Sequence, residues 1–408
     1  MTSSEAEAAR WLLSTAAVRS RAHQLLALAD DGKLPHLALD RARLPAVIDE
    51  VIQVTRGAYP DGGIPYHARW RHFSVGGRDR WATLAASIDD VRERARAGFD
   101  LAVTSVLLDA GAGAEWRYRE PATGDVFARS EGLAVASFDL FAAGAFSGDP
   151  MRPFRADATG LGRFDAARLA SGFQCEAGNP MVGLEGRAGL IRSLGRALAS
   201  APDLFGRDAR IGNLVDHLER RAVQGKLKAS EILHAVLSGF GLVWPGRLSL
   251  AGIPLGDTWR HASARSDDAA DGLVPFHKLS QWLTYSLVEP LEWLGLSVTD
   301  LDDLTGLPEY RNGGLFLDLG VLAWRDPTVP RRALKPGDEA VVEWRALTVA
   351  LLDEVASGVR QRLGLDREQL PLAKVLQGGT WTAGRRVAAR LRPGGGPPLT
   401  LDSDGTVF

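Results

Sequence analysis

Hydrophobic residues recur at helical spacing along most of the chain. Apolar positions three and four residues apart occur in the segments 11–26, 47–52, 211–218, 230–239 and 344–359. This spacing places apolar side chains on one face of an α-helix, where they can be buried together. The pattern therefore predicts a mainly α protein, with helices near both ends of the chain.

Strand patterns are sparse by comparison. Two short runs, residues 116–119 and 126–128, flank a turn that contains Pro121 and Gly124. Such a turn between short strand-forming runs is typical of a hairpin. We therefore expect one small β-hairpin, and we expect the glycine- and proline-rich residues 393–408 to form a loop with a closing strand.

Two segments interrupt the helical pattern. Residues 144–179 are a mixture of Gly, Asp, Arg and Phe with weak periodicity, and residues 261–272 contain a run of Ser, Asp and Ala. Long irregular segments of this kind often lie at boundaries or form walls of binding sites. We expect residues 1–408 to form one compact, mostly helical unit, with a sub-domain break around 144–179 and a mobile connection at 261–272.

The composition is that of an ordinary globular protein, with 45% hydrophobic and 24% charged residues. The formal net charge of -2 provides no general field that would attract nucleic acid or an anionic membrane. No secretory signal and no apolar stretch of about 20 residues is visible in the sequence. We therefore predict a cytoplasmic protein with neither nucleic acid nor membrane as partner.

Cys175 is the single cysteine of the chain. One thiol cannot form an internal disulfide or a multi-cysteine metal site, which fits a reducing compartment. His67 and His72 do not have the spacing of a helical metal pair. The sequence therefore predicts neither a metal nor a cofactor.

A first candidate site surrounds Lys278. If a helix starts just before this residue, Gln281, Trp282 and Tyr285 lie on the same helical face as the lysine, and His277 stands beside it. A charge kept among aromatic and apolar residues often has a partner or a task. A surface helix whose lysine reaches water over its own stem explains the same pattern.

A second candidate site begins at Pro308 and Glu309. Proline favours the first turn of a helix, and a carboxylate there meets the positive end of the helix dipole. Tyr310 and Arg311 follow, and the next residues, Asn-Gly-Gly, allow close approach of the backbone. Both a structural role for Glu309 and a role in a binding site fit these observations.

Two further segments are candidates for ligand binding. Arg69, Arg71 and His72 lie in an aromatic-rich run that would suit a phosphate beside a flat ring, although a solvated rim fits equally well. Residues 171–180 follow a flexible turn, where free backbone amides could hold an anion. Within this segment we expect contacts from three polar side chains, namely Gln174, Glu176 and Asn179.

Several of these motifs together resemble the uracil catabolism protein four family. They are residues 66–73, 172–180, 276–290 and 307–311, and the likeness extends over almost the whole chain. That family was long a domain of unknown function. Its genes accompany a uracil phosphoribosyltransferase and a cyclohydrolase-like protein in a pyrimidine-degradation route with ribosylurea among its proposed intermediates. The resemblance implies a nucleoside or nucleotide substrate and association with other uracil-catabolism enzymes.

Two short motifs, residues 276–281 and 309–311, are also similar to the queuosine salvage protein. That protein is an N-glycosidase that acts on a nucleoside 5'-phosphate and has a helical fold like that of DNA glycosylases. The acid at the position of Glu309 is one methylene shorter there, and the residues after Arg311 differ. This resemblance implies a DNA-glycosylase-like core of the helix-hairpin-helix type.

Together the resemblances imply an N-ribosyl hydrolase that acts on a ribosylurea-type nucleoside or its 5'-phosphate. Cleavage of a ribosyl C–N bond builds positive charge at C1', so the site needs a nearby carboxylate. In this hypothesis Glu309 and Lys278 are the catalytic residues. The implied substrate-binding residues are Tyr310, Arg311, His277, Gln281, Trp282, Arg69, Arg71, His72, Gln174, Glu176 and Asn179.

Two alternatives stay open. The chain would also fit a non-catalytic nucleotide-binding or scaffold protein of the same pathway. A ureido amidohydrolase ranks lower, because the sequence has neither an evident set of metal ligands nor an activated serine.

Overall fold

A computed structural model describes residues 3–109, 111–113, 115–244 and 248–402. Within these ranges the protein is mainly α, as the hydrophobic pattern predicts. The α-helices are α1 (Ser3–Leu12), α2 (Thr15–Asp30), α3 (Leu44–Ala58), α4 (Trp70–Phe73), α5 (Arg80–Ala85), α6 (Val91–Leu107), α7 (Arg129–Ala142), α8 (Ala158–Gly162), α9 (Ala166–Gly172), α10 (Leu184–Ser200), α11 (Pro202–Phe205), α12 (Leu214–Arg221), α13 (Ala229–Phe240), α14 (Lys278–Trp293), α15 (Tyr310–Asp318), α16 (Glu339–Leu363), α17 (Leu372–Val375) and α18 (Trp381–Leu391).

Short strands lie between these helices, and each strand pairs with one other strand. The strands are β1 (Leu37–Leu39), β2 (Tyr118–Arg119), β3 (Val126–Phe127), β4 (Lys226–Lys228), β5 (Ser249–Leu250), β6 (Ile253–Pro254), β7 (Thr258–Arg260), β8 (Leu273–Pro275), β9 (Ser297–Thr299), β10 (Leu322–Trp324), β11 (Ala333–Leu334) and β12 (Thr400–Leu401). β1 pairs with β10, β2 with β3, β5 with β6 and β7 with β8 in antiparallel fashion, while β4–β9 and β11–β12 are parallel. The β2–β3 pair is the predicted hairpin.

The long helix α16 lies at the centre of the hydrophobic core. Trp344, Leu347 and Leu351 are fully buried, and the helix packs against α2, α3 and α15. Residues 340–352 of this helix are all buried, so other elements surround it on every side along this stretch. A single cluster of buried side chains extends around it from Val18 to Leu399.

The two irregular segments have different structures. Residues 144–179 contain the short helices α8 and α9, joined by turns. Residues 261–272 form a loop attached to α2, because the Arg21 guanidinium donates hydrogen bonds to the backbone oxygens of Arg265 (3.2 Å) and Ala270 (2.9 Å). The mobility of this connection and the sub-domain break remain predictions.

The helices that concern function are α7, α14, α15 and α18, because their first turns border one cavity. α14 packs along α6, and α15 packs against α18. The helix-hairpin-helix arrangement implied by resemblance remains a prediction. Every helix in the described ranges is too short or too polar to cross a lipid bilayer.

Candidate functional site

The cavity has a volume of about 400 Å³. Its walls carry Lys278 from α14 and Glu309, Tyr310 and Arg311 from the start of α15, so the two strongest sequence motifs meet here. Trp282, one helical turn after Lys278, lines the same cavity. The Lys278 motif and the Glu309 motif therefore share one pocket.

Glu309 is the N-cap residue of α15. Its Oε2 accepts a hydrogen bond from the backbone N–H of Arg311 (2.7 Å), and Oε1 accepts one from Asn312 (2.6 Å). These contacts fix the carboxylate on the helix axis, where the dipole favours negative charge. Burial raises the pKa of Glu309, and the nearby Lys278 and the two backbone N–H groups oppose that rise.

Lys278 is the first residue of α14. Its backbone N–H donates to Asp257 Oδ2 (3.1 Å), and Arg345 holds that carboxylate with two bonds of 2.8 Å. The ammonium Nζ lies 5.7 Å from the centre of the Trp282 ring, and no group in the described ranges forms a hydrogen bond or ion pair with it. Burial lowers the pKa of Lys278, while Glu309 and then Asp109 act in the opposite direction.

Aromatic side chains form much of the cavity wall. The indole Nε1 of Trp282 is buried without a hydrogen-bond partner in the described part of the chain, and the His72 ring meets this indole edge-on at 6.2 Å. The Tyr310 ring lies 4.9 Å from the guanidinium carbon of Arg311. Flat aromatic walls of this kind suit a planar ligand.

Of the predicted cluster Arg69, Arg71 and His72, only His72 lines the cavity. Arg69 is fully buried behind the wall, where Nη1 lies 2.9 Å from Asp109 Oδ1. Arg71 bonds Glu289 in a separate surface depression. Burial, with Arg69 and Arg71 nearby, lowers the pKa of His72 well below its ordinary value, so this ring is neutral at pH 7.

The residues that were predicted to share one face of α14 point in two different directions. Gln281 is fully buried and exchanges hydrogen bonds with Thr305, donating to Oγ1 (2.7 Å) and accepting from the backbone N–H (2.8 Å). His277 Nε2 contacts the backbone oxygen of Leu12 (2.8 Å). Adjacent helical positions differ by about 100° in direction, so Trp282 faces the cavity while Gln281 faces the core. Neither His277 nor Gln281 lines the cavity.

The residues predicted in the 171–180 segment also lie away from the cavity. Gln174 bonds both the backbone N–H (2.9 Å) and the backbone oxygen (2.7 Å) of Arg119, and Asn179 does the same at Arg117 (2.8 and 2.7 Å). These side chains cover the free edge of the β2–β3 hairpin. Glu176 is exposed beside them, so the structure brings none of the three to the ligand cavity.

Other cavity residues were missed in the sequence. Asp109 lies two residues after the end of α6, Arg129 is the first residue of α7, and residues 394–396 belong to the glycine-rich tail. An acid just after the apolar residues 106–108 is an available signal for Asp109, whereas nothing near Arg129 in sequence indicates its position. In the described residues, no group of three or more His, Cys, Asp or Glu side chains is placed to hold a metal ion.

Comparison with known proteins gives two close relatives. "Uracil catabolism protein 4" of Lachancea kluyveri is 40% identical, over 93% of this chain and 93% of that protein. "Protein urg3" of Schizosaccharomyces pombe is 39% identical, over 97% of this chain and 98% of that protein. A family model described as "Protein of unknown function (DUF1688)" matches residues 11–408. The predicted resemblance to uracil catabolism protein four is thus confirmed, and the chain belongs to this family.

Proposed function

We propose that the chain is an N-ribosyl hydrolase of uracil catabolism that cleaves the C–N bond of a ribosylurea-type nucleoside or its 5'-phosphate. The observation that carries this proposal is the shared cavity of Lys278 and Glu309, with an acid and a base in one aromatic-walled space. The name of the Lachancea kluyveri relative, "Uracil catabolism protein 4", supports the assignment to this pathway. The geometry supports acid–base chemistry at a glycosidic bond.

Glu309 is the base and electrostatic stabiliser in this mechanism. As the C1'–N bond breaks, positive charge develops at C1' and the ring oxygen, and a fixed carboxylate lowers the energy of that state. The two backbone N–H groups hold the carboxylate in place without protonating it. A water molecule then attacks C1', forms the new C–O bond and transfers a proton to Glu309.

Lys278 supplies the proton for the leaving group. The bond electrons pass to the departing ureido nitrogen, which takes a proton from the ammonium and leaves as urea. Burial lowers the lysine pKa and raises that of Glu309, so the two groups become a better acid and a better base near neutral pH. Exchange of one proton between them restores both groups, and the net reaction consumes one water molecule.

A direct assay tests the proposal. The purified protein is incubated with ribosylurea 5'-phosphate and with ribosylurea, and free urea and the sugar product are measured over time. We expect equal amounts of urea and sugar, as hydrolysis requires. If neither compound gave urea and sugar, the hydrolase assignment would be rejected.

The neutral amine of Lys278 also permits a covalent mechanism. It attacks C1', the C1'–N bond to the ureido group breaks, and a proton of the amine passes to the departing nitrogen, which leaves as urea. The sugar ring then opens to a Schiff base, and water hydrolyses this Schiff base to release the sugar. Borohydride reduction during turnover would then attach the sugar to the protein. Acid catalysis predicts no attachment but a large loss of turnover in Lys278→Met. Lys374→Met is a matched control, because Lys374 also lies over an aromatic ring, that of Tyr66, but does not line the cavity.

A second candidate function is ligand binding without catalysis. It is favoured by the two hydrogen bonds at Glu309, since a carboxylate that caps α15 already has a structural role. This alternative predicts saturable binding of ribosylurea 5'-phosphate with no release of urea. It also predicts that Glu309→Gln alters affinity alone, whereas the hydrolase proposal predicts loss of turnover in that variant.

A further inference from the structure

We propose that the cavity contains a subsite for a phosphate monoester, formed by Arg129, Arg311 and the first turn of α7. The inference rests on the proposed function, in which this group is the 5'-phosphate of the ribosyl substrate. It narrows the substrate class from nucleosides in general to ribosyl 5'-phosphates. Arg129 and Arg311 are then the anion-binding residues. Arg69 and Arg71, which the sequence suggested for this role, are held away from the cavity.

Two guanidinium groups converge at one edge of the cavity. Arg311 Nη1 donates to the backbone oxygen of Gly395 (2.8 Å), and Arg129 Nη2 donates to that of Gly394 (3.4 Å). These oxygens belong to neighbouring peptide units, so the two guanidinium groups lie close together. The two arginines themselves are far apart in the sequence. Both line the cavity, and the planar fork of arginine matches the geometry of phosphate oxygens.

Arg311 also has an unused donor. The side chain is only 7% exposed, yet its Nε has no hydrogen-bond partner in the described ranges. Buried donors in native proteins nearly always have a partner, because an unmet donor costs about 1–3 kcal/mol. Nε itself is enclosed by protein atoms, whereas Nη2 is not enclosed and forms no hydrogen bond in the described ranges, so Nη2 is the donor that Arg311 offers to an anionic oxygen in the cavity.

The start of α7 contributes further donors. Arg129 and Ser130 are its first residues and both line the cavity, while the N-cap residue Ala128 has no side chain that can accept from the first-turn N–H groups. The positive end of a helix dipole and uncapped N–H groups together favour an anion. Arg129 has a φ of 55°, so the regular helical turn begins at Ser130, and the positive end of this turn lies at the cavity together with the two arginines.

The net charge around the cavity is positive and would favour a dianion. Its lining carries three cations and two carboxylates, which are Arg129, Lys278, Arg311, Asp109 and Glu309. The buried Arg69 neutralises Asp109 from behind the wall, so the four cations exceed the two carboxylates by two charges. His67, with a pKa lowered to about 4 by burial, and His72 are neutral at pH 7. A phosphate monoester carries about -1.5 to -2 charges at this pH and would balance the excess.

A binding experiment tests the subsite without requiring catalysis. Calorimetric titration compares ribose 5-phosphate with ribose, and we expect the phosphate ester to bind at least about tenfold more tightly. Arg129→Gln should remove most of that difference, and Arg129→Lys should keep part of it because the charge remains. The control is Arg152→Gln, since Arg152 is 72% exposed and lies outside the cavity lining. Equal affinities for the two sugars, or equal effects of the Arg129 and Arg152 variants, would overturn the subsite.

The hydrolysis assay then separates this inference from the proposed function. A higher kcat/KM for ribosylurea 5'-phosphate than for ribosylurea, reduced in Arg129→Gln, supports both. Equal kcat/KM for the two compounds rejects the subsite and leaves the hydrolase standing. Phosphate-dependent sugar binding with no hydrolysis of either compound leaves the subsite standing and rejects the hydrolase.

Discussion

Lys278 and Glu309 line one cavity from the first turns of two different helices, and no salt bridge joins their charged atoms. A salt bridge would fix both charges and make proton transfer to a ligand costly. In the proposed mechanism the substrate binds beside both groups, with Lys278 as the acid and Glu309 as the base. Each nevertheless affects the pKa of the other, after the larger effect of burial on both groups.

The first prediction concerns Glu309→Gln. The amide keeps the size of the carboxylate but has only one oxygen, so its NH₂ group must face a backbone N–H of α15. We expect turnover to fall at least ~100-fold and the free energy of unfolding to fall by about 1–2 kcal/mol. Initial rates and urea-induced unfolding measure the two effects separately.

Asp90→Asn is the matched control for that variant. Asp90 caps α6 through the backbone N–H groups of Arg92 and Glu93, and it lies on the surface away from the cavity. Its loss should change stability slightly and leave turnover unaltered. If Glu309→Gln behaved like Asp90→Asn in the rate assay, Glu309 would be a helix cap without a catalytic role.

The second prediction is the pH dependence of kcat/KM. Protonation of Glu309 removes the required carboxylate, so the rate falls as pH drops through its pKa, which burial places above the ordinary value of 4.5. Deprotonation of Lys278 removes the proton donor, so the rate also falls as pH rises through a pKa below 10.5. We therefore expect a bell-shaped profile that is narrower than one with limbs at the ordinary pKa values of 4.5 and 10.5.

Lys278→Met gives this profile a sharper test. Removal of the ammonium eliminates the basic limb, and it also removes a cation that lowers the pKa of Glu309. The acidic limb should therefore move to higher pH in the residual activity of the variant, which rate measurements between pH 4 and 9 would detect. An acidic limb at the same pH as in the parent protein would contradict coupling between the two groups.

The sequence was sufficient to predict much of the fold. The periodic residues 344–359 correspond to the central part of α16, because a helix buried on several sides needs a long apolar pattern. The turn residues between β2 and β3 likewise identified the hairpin. The pairing of β4 with β9 joins segments about seventy residues apart, and no local pattern indicates such a partner.

The site was predicted in part, for a similar reason. Lys278 and Trp282 are one helical turn apart, so their common direction follows from spacing alone. Arg69 looked equally suited to a ligand, but its partner Asp109 lies forty residues further along the chain and holds it behind the wall. Local pattern gives the face of a helix, whereas the element that covers this face depends on tertiary packing.

The third prediction concerns the contact between α18 and the site. A Cβ atom at Gly384 would lie 2.2 Å from the backbone oxygen of Arg311, too close for any non-bonded contact. Gly384→Ala should therefore displace the first turn of α15, reduce the free energy of unfolding by about 1–3 kcal/mol and lower kcat/KM. Denaturant unfolding and the urea-release assay would measure both.

Gly189→Ala is the control for this substitution. Gly189 lies inside α10, and a Cβ there would meet nothing within 4 Å. Alanine favours the helix over glycine by up to about 1 kcal/mol, so this variant should be as stable as the parent or more stable. A Gly384→Ala protein with unaltered stability and rate would show that α15 does not depend on this close approach.

The last prediction concerns Asp109, whose partner Arg69 is fully buried. Asp109→Asn leaves that guanidinium without a counter-ion, so we expect the free energy of unfolding to fall by about 3–5 kcal/mol. Asp31→Asn is the comparison, because Asp31 pairs with Lys33 at the surface and should contribute less than about 1 kcal/mol.

Asp109→Asn should also move the basic limb of the pH profile. The carboxylate opposes the burial effect on Lys278, so its loss lowers the pKa of the lysine further and shifts the basic limb to lower pH. A purely structural ion pair predicts loss of stability with the limb unmoved. A shift of the basic limb to lower pH would therefore show that the Asp109 charge acts on the ammonium of Lys278, and an unmoved limb would show that Asp109 only supports the cavity wall.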